Sequence, residues 1–225
     1  MDYFIQQFAI GLSVGMTYAL MAIGFTLIFG VLNVVNFAHG EVYMVGAFAG
    51  LVAITSLAPP FVAVLLAALA AGAIVGVLLE RLGFKPFRRF TDEAALKSRW
   101  MREATLMSSL ALSIITREGM EILYGSRFQK VPLDWLINQP IDLGFVHIVN
   151  GDVIIFVVSA AMLIALQLIL TRTRIGLSIR AVSNNALGAR YVGINTDRTI
   201  IWTFVVGSAL GAVAGILVGL YYGAI

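Results

Sequence analysis

GLSVGMTYALMAIGFTLIFGVLNVVNFAHGE, residues 11–41, belongs to a long uncharged run that Glu41 ends: no Asp, Glu, Lys or Arg stands between Tyr3 and Gly40. A stretch of about 17–25 apolar residues is enough to cross a ~30 Å hydrocarbon core. The apolar residues here are continuous, whereas a barrel strand alternates over about ten residues. Composition agrees, with 60% hydrophobic and 12% charged residues against about 25% charged in soluble domains. The expected fold class is therefore all-α, a polytopic helical membrane protein.

Several other classes fall away at once. The start, MDYFIQQFAIGLSVG, has an acidic residue where a cleavable signal needs a positive n-region, and its apolar run is too long for one. The chain has no cysteine, so disulfide and thiolate chemistry are excluded. A pI near 9.4 is explained by basic cytoplasmic loops, which raise the pI of membrane proteins generally; no nucleic-acid partner is expected.

Six spans are expected within a single domain, 1–225: residues 8–30, 41–58, 61–79, 104–123, 152–170 and 199–223. Pro59-Pro60 separates the second from the third, because proline lacks the helical donor and restricts its predecessor. Loop 80–103 holds seven Lys/Arg and loop 171–198 holds five; the remaining three, Arg117, Arg127 and Lys130, surround the loop 124–151. The positive-inside bias makes the two basic loops cytoplasmic and 124–151 external. Parity then puts the N-terminus outside. Arg117 and Glu121, i,i+4 neighbours, belong at the outer interface.

The last span carries Gly207, Gly211, Gly215, Gly219 and Gly223, one every four residues. Each step of four drifts about 40° around a helix. The five are expected to form a curved helix-packing groove of the small-xxx-small kind.

Two motifs are chance matches, and two others are absent. GLSVG at 11–15 has the nucleophile-elbow pattern but lies inside a membrane helix, and His39 and His147 are the only histidines. No Gly-Lys pair exists, which excludes a P-loop, and no clustered ligand spacing suggests a metal site. EAA at 93–95 lacks the glycine four residues beyond its second alanine, where Arg99 stands.

Between the first two spans, Asn33 and Asn36 suit turns and helix caps, and Gly40 suits a positive φ or a close backbone approach. His39 and Glu41 are ionisable. Two readings stay open: a tight polar hairpin at the cytoplasmic side, or a break inside the membrane that lines the pathway, where irregular backbone survives only if buried in protein or facing water. Gating or helix packing is preferred here to direct substrate recognition. In loop 171–198 the stretch 177–192 is helix-compatible, with Leu177, Ala181, Val182, Leu187 and Val192 on one face and Arg180 and Arg190 on others. It suits a membrane surface or a groove on a soluble partner.

VVNFAHGEVYMVGAF (34–48) together with RIGLSIRAVSNNALGARYVGINTDR (174–198) resembles the permease subunits of bacterial branched-chain amino-acid ABC importers, the LivH type. The resemblance runs from about residue 5 to the C-terminus. It implies a multi-pass protein of the bacterial inner membrane, with a second permease subunit, two cytoplasmic ATP-binding subunits and a periplasmic substrate-binding protein as partners. It implies no cofactor in this chain, which is no enzyme itself, and ATP-Mg in the partner ATPase. Loop 171–198 then looks like the coupling helix, with Gly176, Arg180, Ala181, Ala189, Gly193 and Ile194 toward the ATPase; Ala189 and Gly193 match the A-x-x-x-G contact motif. The chain departs from the family in having Ser183-Asn184-Asn185 where many relatives carry an acidic residue. It also stops at LVGLYYGAI, as if the C-terminal part of a longer permease were lacking. The alternative is an ion-coupled transporter or channel, which needs acidic residues at mid-span.

Overall fold

The computed structural model describes residues 2–57, 60–89, 99–132, 140–142 and 147–225. The expected break at Pro59, the EAA at 93–95 and parts of the loop 124–151 lie outside these residues. Helix α1 (Asp2–Leu32) ends where Asn33 turns left-handed at φ 53°, its N–H donating to the Phe29 carbonyl at 2.8 Å. Asparagine tolerates that conformation better than most residues. An irregular segment leads to α2 (His39–Leu57), and Pro60 caps α3 (Phe61–Leu79).

The expected connector at 80–103 is largely helical where described. α3 runs on through a π-helical turn, Glu80–Phe84, into the short α4 (Lys85–Arg89), and α5 (Arg99–Tyr124) follows. The wider turn swings Phe84 inward, where its ring lies 4.9 Å from that of Phe204. Glu80 is fully buried. A two-stranded antiparallel hairpin, β1 (Pro140–Asp142) and β2 (His147–Val149) with Ile141 opposite Ile148, precedes α6 (Asn150–Arg172). Two short helices, α7 (Arg174–Asn184) and α8 (Ala186–Tyr191), lead into α9 (Thr196–Tyr222).

The protein is thus all-α and polytopic. Among the described residues, four stretches are long and apolar enough to cross a membrane: 3–32, 61–87, 150–172 and 196–222. The other two of the six expected spans differ in character. α2 opens on His39 and Glu41, and α5 carries Arg102, Glu103, Arg117, Glu118 and Glu121 beside an exposed apolar face that includes Met107, Ile114 and Ile122.

α9 is the centre of the bundle. Its apolar stretch is 72% buried, against 22%, 28% and 17% for α1, α3 and α6. Helices pack on it with almost no side chain between them. A Cβ on Gly24 of α1 would stand 2.6 Å from the Gly207 carbonyl oxygen, and one on Gly207 would stand 2.8 Å from that of Gly24. Gly215 meets the Tyr43 carbonyl of α2, and Gly46 of α2 meets Ala212. From the other side, Gly72 and Gly76 of α3 each approach an α9 carbonyl, of Ser208 and Phe204, so closely that a Cβ would lie 2.7 Å away. These pairings make α2 parallel to α9, and α1 and α3 antiparallel to it.

The glycine series divides by role. Gly207, Gly211 and Gly215 face α1 and α2, whereas Gly219 faces Ile225 at the chain's own end. Gly223 lies outside the packing groove, because it ends α9 in the left-handed region at φ 66°. The last residues then turn back: Gln129 and Ile225 exchange backbone hydrogen bonds of 2.8 and 2.9 Å.

The crossings predict an asymmetric response to added bulk. Gly215→Val forces α2 off α9 and is expected to cost about 1–3 kcal/mol or more, the usual range for overpacking. Gly15→Val, whose Cβ would meet nothing within 4 Å, should be near neutral. Thermal unfolding in detergent, followed by size-exclusion chromatography, separates the two; equal midpoints would contradict the assigned crossing.

Candidate functional site

Asn36 builds its own turn. Its side-chain Oδ1 accepts from the Ala38 N–H at 3.1 Å and its backbone carbonyl accepts from the His39 N–H at 3.2 Å. Two donors that open α2 are thereby satisfied within three residues. Asn36 and His39 are both buried, each 2% exposed. The His39 ring meets Phe25 of α1 edge-on at 5.8 Å, and its Cε1–Nε2 edge lies over Gly211, where a Cβ would come within 3.2 Å.

That contact fixes the depth of the turn. Gly211 stands near the middle of the 27-residue α9, and α1 continues past Gly24 for eight residues, about 12 Å at 1.5 Å per residue. The chain therefore leaves α1 near the basic end, re-enters, and begins α2 close to mid-depth. Of the two readings left open above, the geometry favours the break within the membrane's thickness. It is buried in protein, the condition under which irregular backbone is tolerated there.

Beside the turn, a groove of about 470 Å³ is lined by Tyr18, Met21, Ala22 and Phe25 of α1 and by Asn36, Phe37, His39 and Gly40. Gly40 serves neither purpose expected of it. It has no positive φ, and a Cβ there would meet nothing within 4 Å; it leaves the groove open. Asn33 is exposed and serves as the stop of α1.

Glu41 faces away from His39 toward α5, where its Oε1 accepts from the Ser113 hydroxyl at 3.0 Å. One turn earlier, Ser109 accepts from the Phe37 N–H at 3.4 Å. Two serines four apart thus hold both sides of the turn, and neither was singled out in the sequence. Their spacing on one face of an apolar helix was visible there; what it faces was not.

The second basic loop is two helices joined at Asn185, not one stretch over 177–192. Thr173, Asn185 and Asn195 cap α7, α8 and α9, accepting from the backbone N–H groups of Gly176, Gly188 and Arg198. The break rotates the apolar face. Ile179, Val182 and Ala189 are buried in the same core as Ile28, Val31 and Phe204, while Leu177 and Val192 are exposed. Among the six residues expected toward an ATPase, Gly176 and Ala189 are buried, and Ala181 and Ile194 pack on the core. A side chain on Gly176 would strike Leu170 and the Ile169 carbonyl. Only Arg180 and Gly193 are exposed.

Gly193 closes α8. At φ 84° its N–H donates to the Arg190 carbonyl and the Ile194 N–H to that of Ala189, both at 2.9 Å, the paired bonds of a Schellman stop. The exposed surface includes Arg174, Leu177 and Arg180 on α7, Tyr191 at the end of α8, and Val192 and Gly193 after it. Ser183 is exposed as well, and its hydroxyl donates to the Gly30 carbonyl near the end of α1 at 2.7 Å.

A central glycine helix, a buried mid-depth break beside a groove, and a basic surface bonded to the same helices define a membrane transport component. Residues 7–225 match the family described as the permease component of the branched-chain amino acid transport system, and the chain belongs to that family. It is 34% identical, over 99% of its own length and 73% of the relative's, to the high-affinity branched-chain amino acid permease LivH of Escherichia coli, and equally so to BraD of Pseudomonas aeruginosa. A 28% identity over 52% of the chain, and 31% of the relative, links it to the autoinducer 2 import permease LsrC of Yersinia enterocolitica. No solved structure matches it. The chain is an ABC-importer permease subunit, a multi-pass transport component of a larger complex; its relatives are not enzymes.

The clamp on the turn is open to test. Ser113→Ala is expected to destabilise by about 1–3 kcal/mol, the range for a hydrogen bond to a charged group, and by less in a Glu41→Gln background. A double-mutant cycle on thermal stability in detergent measures the coupling. Additivity within about 0.5 kcal/mol would detach Glu41 from Ser113.

Proposed function

We propose that this permease carries branched-chain amino acids inward across the bacterial inner membrane, driven by ATP hydrolysis in separate cytoplasmic subunits. The substrate class follows the relatives at 34% identity. In this reading, ATP-Mg is held by two ATP-binding subunits, a second permease subunit completes the pathway, and a periplasmic binding protein delivers the substrate. The basic loops lie on the cytoplasmic side, both termini lie outside, and α2 and α5 complete six crossings.

One observation carries the proposal: the exposed surface of α7 and α8 is tied to the end of α1 and to the mid-depth turn. Leu177, Tyr191 and Val192 are 60%, 85% and 75% exposed, large apolar groups beside Arg174 and Arg180. That is the composition of a docking patch with an apolar centre and a charged rim. Behind it, Ser183 grips Gly30, and Ile179 and Val182 pack with Ile28 and Val31 of α1 and with Ala38 of the turn. A partner that moves α7 therefore moves the end of α1 and the turn with it. The ion-coupled alternative would use Glu41, the acidic residue nearest mid-depth, but Glu41 is engaged by Ser113.

The test is leucine uptake in the native host lacking its own copy of this chain. Leu177→Glu on the exposed patch is expected to reduce uptake at least tenfold while leaving the membrane-inserted amount unchanged, and co-purification of an ATPase should be lost with it. Full uptake by that variant would remove the patch from coupling. ATP-independent uptake by the unaltered chain would overturn the importer reading.

A further inference from the structure

The mid-depth turn carries polar groups that the fold itself does not use. The Asn36 amide is oriented by its own turn: Oδ1 takes the Ala38 N–H, which leaves Nδ2 as a buried donor with no partner among the described residues. Neither ring nitrogen of His39 has a close partner among them either. The acceptor facing the ring is the Met21 backbone carbonyl. A neutral imidazole directing its N–H there keeps its other nitrogen as an acceptor. An unsatisfied buried polar group costs about 1–3 kcal/mol, so two such residues side by side at mid-depth need an explanation. A turn required only for packing would be served by apolar neighbours.

Both residues line the same groove, and its other walls are hydrocarbon and aromatic: Tyr18, Met21, Phe25 and Phe37. At 470 Å³ it falls within the range of small-molecule sites, about 300–1,000 Å³. Gly40 keeps its floor clear. No Lys or Arg occurs between Met1 and Glu80, so α1, α2 and the turn offer no fixed cation to a ligand.

We propose that Asn36 and His39 form the head-group subsite for a neutral α-amino acid, with Asn36 Nδ2 donating to its carboxylate, the imidazole accepting from its ammonium, and Tyr18, Phe25 and Phe37 receiving its aliphatic side chain. The proposal rests on the import reading above and goes beyond it by assigning direct recognition, not gating alone, to the turn. A neutral donor–acceptor pair suits a ligand of zero net charge: each pole finds a partner, and no unpaired protein charge is buried when the site empties. Amino acids with a charged side chain would leave that charge unmatched against apolar walls. In this packing both groups are covered, so the ligand reaches them as α1 shifts at the Gly24–Gly207 crossing. At that crossing the two backbones touch, and the Ile28 side chain lies over Gly207.

The experiment is competition at the assembled transporter, purified as the native complex and reconstituted in vesicles, with ATP-dependent uptake of labelled leucine as readout. Leucinamide, which lacks the carboxylate, is the competing probe. Asn36→Asp keeps the turn's acceptor but replaces the donor by a carboxylate oxygen. It is expected to raise the KM for leucine at least tenfold and to shift the leucine-to-leucinamide preference at least tenfold toward the amide. Because the shift is a ratio, it does not depend on how much complex assembles. His39→Gln, which retains a donor and an acceptor, should keep the leucine KM within about threefold. An unmoved preference in Asn36→Asp, with only the maximal rate reduced, overturns the subsite and leaves the importer standing. Loss of uptake in assembled His39→Gln at all leucine concentrations also overturns it, in favour of a proton-carrying histidine. No ATP-dependent uptake of leucine by the unaltered complex overturns the subsite and the import reading together.

Discussion

The contact on which the rest depends is backbone against backbone, α9 against α1 and α2. In lipid there is no hydrophobic gain from joining two apolar helices, so association relies on close packing and on whatever polar groups it satisfies. Gly24 with Gly207, Gly46 with Ala212 and Gly215 with Tyr43 provide that closeness. The same crossings constrain the chain between α1 and α2. Both helices must touch one face of α9 while running in opposite directions, so the connecting residues lie against it as well, and His39 fills the place that Gly211 leaves.

A polar break at mid-depth survives because nearly every backbone demand is answered locally. Asn33 stops α1 with a bond to Phe29, Asn36 satisfies two donors of the next turn, and Ser109 takes the Phe37 N–H. Glu41 is stabilised from outside the turn, by Ser113 on α5. α5 therefore turns small polar residues, Thr105, Ser109 and Ser113, toward the protein, while its charged and its large apolar residues share the exposed side. It packs less like a membrane anchor than like a brace against the turn, and that explains why it falls short of the apolarity of the four clear crossing helices.

How much of this was legible in the sequence follows from what each signal encodes. Apolar run length reports the bilayer directly, so the helices were readable from residues 11–41 onward. Asn33 and Asn36 announced a turn, but its depth depends on which α9 residue it meets, and nothing near Asn36 encodes Gly211. The four-residue glycine spacing marked the right helix, yet spacing alone cannot separate a packing glycine such as Gly215 from a helix stop such as Gly223. In the second basic loop, a single helical period over 177–192 put Leu177, Ala181, Val182, Leu187 and Val192 on one apolar face, suited to a membrane surface or a partner's groove. Asn185 interrupts that period as an N-cap, so Leu177 and Val192 are exposed while Val182 is buried in the protein's own core. Ser183 looked like a departure from the family's acidic residue; in the structure its hydroxyl is a fastening point for α1.

Coupling in this permease subunit is a question of what a push on α7 can change. α7 is joined to α1 by a hydrogen bond at Gly30 and by a shared core, so the two move as one body. Farther along α1, Ile28 lies over Gly207 and Gly24 meets the Gly207 carbonyl backbone to backbone. Packed interfaces of this kind pass between discrete arrangements instead of deforming continuously. A selective bias between them then comes from groups whose satisfaction differs. Among the described residues, Asn36 Nδ2 has no partner and the His39 ring has no close one, only the Met21 carbonyl that it faces, so any arrangement that gives them a partner gains the desolvation energy withheld here. A ligand shifts such an equilibrium only by its differential affinity for the two states. On the proposed subsite, groups placed at the crossing itself, and not at the mouth of the groove, would bind the ligand and pass that binding to α7 through the same few residues.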